Sequence, residues 1–441
     1  MSVPTDADPP QPSRARYGVV SLCVALAAVT YLDRACIGTL QGAIKTELGL
    51  SRDEMAWVFT AFILSYAIFE IPSAWWGEKV GTRKVLARIV VWWSLFTIFT
   101  AGCWSLASLL VVRFLFGVGE AGAWPNATRT FSRWIPRVER GRVQGIFFAG
   151  AHLAGGLTPF LVAALLPYVG WRGVFVTFGC VGFLWSSVWW WWFRDEPAEH
   201  AGVNSAELAL ITAGRGDAGA HHGASADVWR AILRSTHIWL LNVISFANSY
   251  GFYFFITFLG PYLEEVRGFT KAELALYTGL PLIMAAVVDL FGGATTDLLV
   301  KRLGLRLGRT SVGIAGYGLA AASMFAATRV DSSVQSAVLI SVAAAATMFT
   351  LGASWSSCME VAGEHSGVVS AVMNTAGQVG AMLSPQVVAW LVGDPQSDAY
   401  KQLSREQVHA HWHQALAIIA GLYLAACVSW VFLDPRKRLQ Q

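Results

Sequence analysis

Arg113-Phe-Leu-Phe-Gly-Val-Gly-Glu120-Ala-Gly-Ala-Trp-Pro125 places a full positive and a full negative charge inside a run otherwise apolar enough to cross a bilayer. Seven helical residues turn the chain by about 700°, so both side chains fall on nearly the same face, roughly 10 Å apart along the axis. A charge at mid-bilayer costs ~2.5–3.5 kcal/mol on insertion scales. Two charges on one face therefore require an opposite wall of polar groups or water, and the rest of the chain has to supply it.

The composition agrees with a membrane setting. The chain has 441 residues, of which 55% are hydrophobic and 14% charged, against about 25% charged in a soluble domain. The net charge of +4 is then no argument for nucleic acid. Cys23, Cys36, Cys103, Cys180, Cys358 and Cys427 stand singly in apolar runs, without metal-ligand or CxxC spacing, and read as small buried hydrophobes. The first ~16 residues are polar, and the apolar run after them reads as a first span rather than a cleaved signal.

Runs of about 20 apolar residues occur twelve times, at about 17–41, 54–76, 86–104, 107–129, 142–166, 172–193, 237–262, 272–298, 310–328, 334–357, 366–393 and 413–433. The expected architecture is an all-α membrane protein of twelve transmembrane helices in two six-helix halves. The expected divisions are a tail 1–16, a bundle 17–193, a linker 194–236, a second bundle 237–433 and a tail 434–441. Within the linker, Ser205-Ala-Glu-Leu starts a short helix, and His221-His222 lacks the further fixed ligands a metal site needs. With both termini in the cytoplasm of an inner (plasma) membrane protein, the cytoplasmic segments hold about 22 Lys and Arg and the outer loops about 8, as the positive-inside rule requires. The Trp clusters at 75–76, 92–93 and 189–192 fit interfacial belts. Gly77-Glu78-Lys79-Val80-Gly81-Thr82-Arg83-Lys84 after the second span and Gly293-Ala-Thr-Thr-Asp297 with Lys301-Arg302 after the eighth occupy equivalent places. Such a repeat, with a substrate site between the halves, is a transporter plan.

Four stretches carry a family resemblance. They are Tyr31-Leu-Asp33-Arg34; Pro72-Ser73 through Lys84; Arg113-Phe-x-x-Gly117-x-x-Glu120-Ala-Gly122-x-x-Pro125 with Trp134-x-Pro136-x-x-Glu139-Arg140-Gly141; and Gly367 with Asn374-x-x-Gly377-x-x-Gly380 and Pro385. Together they resemble the major facilitator superfamily, and within it the anion:cation symporter family. Ala74 and Glu78 stand where Gly and Asp are usual, changes that keep size or charge. The resemblance implies alternating access, a small organic anion and protons as partners, a monomer in the lipid bilayer, and no cofactor, metal or nucleic acid.

Candidate residues follow. The Arg34 guanidinium offers a planar fork for a carboxylate; the alternative is a structural pair with Asp33, Glu70 or Glu120. The resemblance makes Asp33 and Glu120 protonation sites, and Arg113 is their charge partner. It also makes Tyr66 a substrate contact. His152, Asn374 and Gln378 offer donors and acceptors to hydroxyls, with helix packing as the alternative. Asp289, deep in the eighth span, is a functional candidate by its depth and a second proton site. Glu78, Lys79, Arg83 and Asp297 read as a conformational latch, an acid against a neighbouring helix N-terminus. The expected function is proton-coupled import of a sugar acid (hexuronate, aldonate or aldarate). The alternatives are an exchanger or uniporter of the same fold and a non-transporting sensor. No nucleophile–base or metal cluster suggests an enzyme.

Overall fold

The computed structural model describes residues 11–50, 52–213, 226–393 and 398–439, and among them the regular structure is helical. Five spans are unbroken helices: span 1 (Ala15–Leu48), span 2 (Arg52–Val80), span 3 (Thr82–Ala101), span 11 (Ser366–Val392) and span 12 (Arg405–Phe432). Three are interrupted: span 4 (Leu106–Glu120, then Ala123–Trp134), span 7 (Thr236–Thr257, then Leu259–Glu265, bent by 54°) and span 10 (Ser333–Phe349, then Leu351–Ala362). Spans 5 and 6 are one helical run, Arg140–Trp192, turned at Gly170 (φ 64°, ψ 175°). Spans 8 and 9 are another, Lys271–Ala327, turned at Gly304 (φ 79°, ψ 171°). Both turns use a backbone conformation that glycine alone adopts cheaply. The result is the expected all-α membrane protein, twelve helices in two halves of six.

Several boundaries differ from the sequence reading. Span 1 continues to Leu48, span 10 continues to Ala362 and span 12 starts at Arg405. Span 4 breaks directly after Glu120, where Gly122 takes φ 89°. Pro125 has no N–H to give the Ala121 carbonyl, which explains a break at this place, and the Asn126 backbone N–H and side-chain amide both donate to the Gly122 carbonyl, at 3.1 and 2.8 Å. The Trp clusters are also mixed. Trp190 and Trp191 face outward, but Trp93 and Trp189 are core residues.

The linker end of the molecule is tied together by the chain segments outside the spans. The helix Ser205–Thr212 buries Glu207, which accepts hydrogen bonds from the Ser13 hydroxyl at 2.5 Å and from Arg16 Nη1 at 2.9 Å. A second short helix, Ala226–Arg234, leads into span 7. His221 and His222 lie outside the described residues. Toward the linker end one apolar core runs through both halves. At the opposite end the N-terminal half keeps a separate core, around Cys36, Ile37, Leu40, Met55, Leu109 and Phe175.

Candidate functional site

The halves meet at the linker end through a symmetric pair of charged caps. A helix N-terminus leaves backbone N–H groups without intrahelical partners, and a carboxylate satisfies both their hydrogen bonding and the helix dipole. Glu78, at the end of span 2, accepts from the Val368 N–H in the first turn of span 11 at 2.9 Å. Asp297, at the same place in the other half, accepts from the Gly141 and Arg142 N–H groups in the first turn of span 5, at 2.9 and 2.6 Å. Arg129 joins the first cap, with Nη1 donating to the Glu364 carbonyl at 2.7 Å and lying 3.7 Å from Glu78, and His365 Nδ1 stands 3.2 Å from Glu78. Lys79 and Arg83 do not take part. Lys79 lies over the Trp75 ring, and Arg83 donates to the Trp190 carbonyl. Lys79, next to Glu78 on span 2, thus turns away from the face that meets span 11, and Arg83 belongs to the start of span 3.

A further charged knot lies beside these caps. Glu360 of span 10 is buried and accepts a hydrogen bond from Arg140 Nη1 at 2.8 Å, with Arg137 Nε at 2.8 Å and Arg309 Nη2 at 3.6 Å as ion-pair neighbours. Arg137 and Arg140 come from one half and Glu360 and Arg309 from the other. The sequence reading ended span 10 at 357 and so missed Glu360, although a lone acid next to an apolar run was a visible signal.

Above the caps, at mid-depth between the halves, is a cavity of about 140 Å³. Its lining includes Arg34 and Tyr31 of span 1, His152 of span 5, Tyr253 of span 7, and Asn374 and Gln378 of span 11. Among the described residues, no acidic side chain lines it. The acids stand one layer behind. Arg34 Nε is hydrogen-bonded to Glu120 Oε1, and its guanidinium lies over the Phe62 and Tyr66 rings at 5.2 and 4.8 Å. His152 Nδ1 is 2.6 Å from Asp289 Oδ2, across the boundary between the halves. Glu70 of span 2, fully buried, receives the Asn374 amide at 2.5 Å and the Thr375 hydroxyl at 3.3 Å.

The structure therefore brings Arg34, Glu120, His152, Asp289, Asn374 and Gln378 to one place. Tyr66 is buried beneath Arg34 and does not line the cavity. Asp33 is buried on the other side of span 1, near Trp93 and Thr97 of span 3 and within electrostatic reach of Arg113. That separation is the 100° step between neighbours on a helix. Arg113 is buried over the Phe62 and Phe116 rings, at 5.2 and 4.3 Å, and its charge acts on both Glu120 and Asp33. The pairings of His152 with Asp289 and of Asn374 with Glu70 had no signal in the sequence, because each joins segments more than a hundred residues apart.

Two six-helix halves, closed at one end and holding a polar cavity at mid-depth between them, define a membrane transporter. The chain belongs to the Major Facilitator Superfamily, whose family model matches residues 23–385. It is a multi-pass transporter and not an enzyme. It is 34% identical over 382 residues, 86% of this chain and 88% of the other, to a probable sulfoacetate transporter, SauU, of Cupriavidus necator. It is 29% identical to a D-galactonate transporter of Escherichia coli (89% and 92% covered). It is 27% identical to a probable galactarate/D-glucarate transporter, GudP, of Bacillus subtilis (96% and 93% covered). Among solved structures, the proton:xylose symporter XylE superposes with a TM-score of 0.72 at 14% identity over 95% of this chain and 96% of that one, a likeness of fold.

Proposed function

We propose that this protein imports a small organic anion of the sugar-acid type, together with protons, across an inner (plasma) membrane with both termini in the cytoplasm. The observation that carries the reading is the Arg34–Glu120 pair at the wall of a cavity lined by no acid among the described residues. Glu120 holds the Nε edge of the guanidinium. The terminal nitrogens remain for a carboxylate, in the bidentate geometry that Arg favours. Substrate carboxylate, Arg34 and ionised Glu120 together would carry a net negative charge in a poorly solvated site, which costs several kcal/mol per uncompensated ion. A proton on Glu120 removes that charge. Anion and proton then bind together because neither is comfortable alone.

Arg113 would be the charge partner of Glu120 and Asp33, and Asn374 and Gln378 would meet hydroxyl groups. Tyr66 would orient Arg34 from below. The caps at Glu78 and Asp297 would close the cytoplasmic side while the cavity opens outward. The names of the relatives, all transporters of acids, support an acidic substrate. Uptake into proteoliposomes with and without an inward proton gradient tests the reading. Accumulation should follow the gradient; uptake indifferent to it, and dependent on anion inside, would make the protein an exchanger.

A further inference from the structure

The cavity has two basic side chains in its lining, Arg34 and His152, and each is backed by its own buried acid, Glu120 and Asp289. Tyr31 lies between them. It stands one turn before Arg34 on span 1, and its ring meets the His152 ring edge-on at 5.7 Å. The two basic positions are thus offset by about one helical turn, on the order of 5 Å along the span axis. From this arrangement we infer that the substrate is a compact dianion, one acidic end on Arg34 and the other on His152, and that the His152–Asp289 pair takes up its own proton with the second end. The inference rests on the organic-anion reading above and sharpens it from acids in general to acids with two charged ends.

The chemistry follows from the tautomers of imidazole. Nδ1 is turned onto Asp289, so Nε2 is the nitrogen left for a ligand. With one added proton the pair is neutral overall. The proton then sits on the imidazole beside a carboxylate, or on the carboxyl, which donates to Nδ1. Either way Nε2 carries a hydrogen and donates. Without that proton Asp289 is ionised, Nδ1–H donates to it and Nε2 is an acceptor. The wall is then negative and repels an anion. The pair is a donor for the second anionic end only when protonated. Asp289 Oδ1 has no other hydrogen-bond partner among the described residues, so no competing donor offsets its charge. The remaining groups around the ring are Tyr31 and Arg34 of span 1, Phe252 and Tyr253 of span 7, and Glu120 behind Arg34. Of these the tyrosines stay neutral at physiological pH and the Arg34–Glu120 charges oppose each other. One proton on each backed pair lowers the net charge of dianion, Arg34, Glu120 and the His152–Asp289 pair from −3 to −1, so two protons accompany the dianion.

The test compares matched anions on the purified full-length protein. Galactarate and galactonate share a carbon skeleton and differ by one terminal carboxylate; sulfoacetate and acetate differ by one sulfonate. Wild type should bind the dianion of each pair more tightly by roughly 10–100-fold, the worth of one hydrogen bond to a charged group. This preference should shrink from mildly acidic to mildly alkaline pH, and calorimetry in two buffers should show about one more proton taken up with the dianion. His152→Ala should bring the dianion-to-monoanion ratio close to one, and His152→Gln, which keeps a neutral donor, should restore part of it. Asp289→Asn should flatten its pH dependence. A side chain that only fastens the halves would change both affinities in proportion and leave the ratio alone. A wild-type ratio of one, or a ratio untouched by His152→Ala, overturns the dianion inference while leaving the organic-anion reading intact. Failure of all four anions to bind overturns both.

Discussion

Gly145→Ala should push the linker end open. Spans 5 and 8 cross at backbone contact there: a methyl carbon on Gly145 would sit 2.4 Å from the Asp289 carbonyl oxygen and 3.2 Å from Gly293 Cα. Ordinary contact begins at 3.4 Å, so the helices must part by about 1 Å, and backbone atoms on both sides leave no side chain to rotate away. Overpacking of this kind costs ~1–3 kcal/mol. The two helices belong to different halves, so the cost falls on the closed arrangement and is relieved when the halves separate at this end. A 1–3 kcal/mol bias moves a two-state equilibrium by about 5–150-fold. Ser366, fully buried at the linker end with its hydroxyl 2.7 Å from that of Ser132 in the other half, is the reporter. In a Ser366→Cys background, a maleimide should react faster by a factor in that range once Gly145→Ala is added. Gly182→Ala is the control, because its methyl would meet the Ser94 hydroxyl within one half; it should lower Tm without changing the labelling rate. Unchanged labelling in Gly145→Ala would refute the claim that this crossing limits opening.

Other outcomes are expected from the charged groups. Arg34→Ala should abolish anion binding in calorimetry, and Arg34→Lys should restore little of it, since a point charge cannot form the two parallel hydrogen bonds of a guanidinium; retained affinity in Arg34→Ala would remove Arg34 from the site. Glu120→Gln should imitate the protonated acid, keeping anion exchange in proteoliposomes while losing proton-driven accumulation, and accumulation at the wild-type level would exclude Glu120 as a coupling group. Glu360→Gln leaves Arg137, Arg140 and Arg309 facing one another without their shared carboxylate, which should cost about 3–5 kcal/mol in thermal unfolding; adding Arg309→Met should recover part of the loss.

What could be read from the chain in advance was whatever repeats along it. Twelve apolar runs and the equivalent acids Glu78 and Asp297 are local patterns, and the helices and caps form where those patterns stand. Individual charges in apolar runs were equally visible: Arg34, Arg113, Glu120 and Asp289 are each costly enough in a bilayer to draw attention singly. Their partners were not settled: Glu120 stood among three candidate partners for Arg34, and no partner was named for His152 or Asp289. Arg113 and Glu120 share a helix face by spacing, yet Glu120 hydrogen-bonds to Arg34 instead, because span 4 breaks after Glu120 and span 1 presents a guanidinium there, one layer behind the cavity. His152 read as a lone polar group until span 8 brought Asp289 to it. The second pairing follows from a close crossing, and that crossing follows from glycines, Gly145 and Gly293 between spans 5 and 8; Gly117 likewise brings span 4 against Phe62 and Ser65 of span 2. A glycine on a span is a weak sequence signal, since it marks both flexibility and contact. Which charge meets which acid is therefore decided by residues that carry no chemistry of their own. The same arrangement sets Glu120 and Asp289 behind the cavity wall, each against a basic side chain that the proposed substrate would touch.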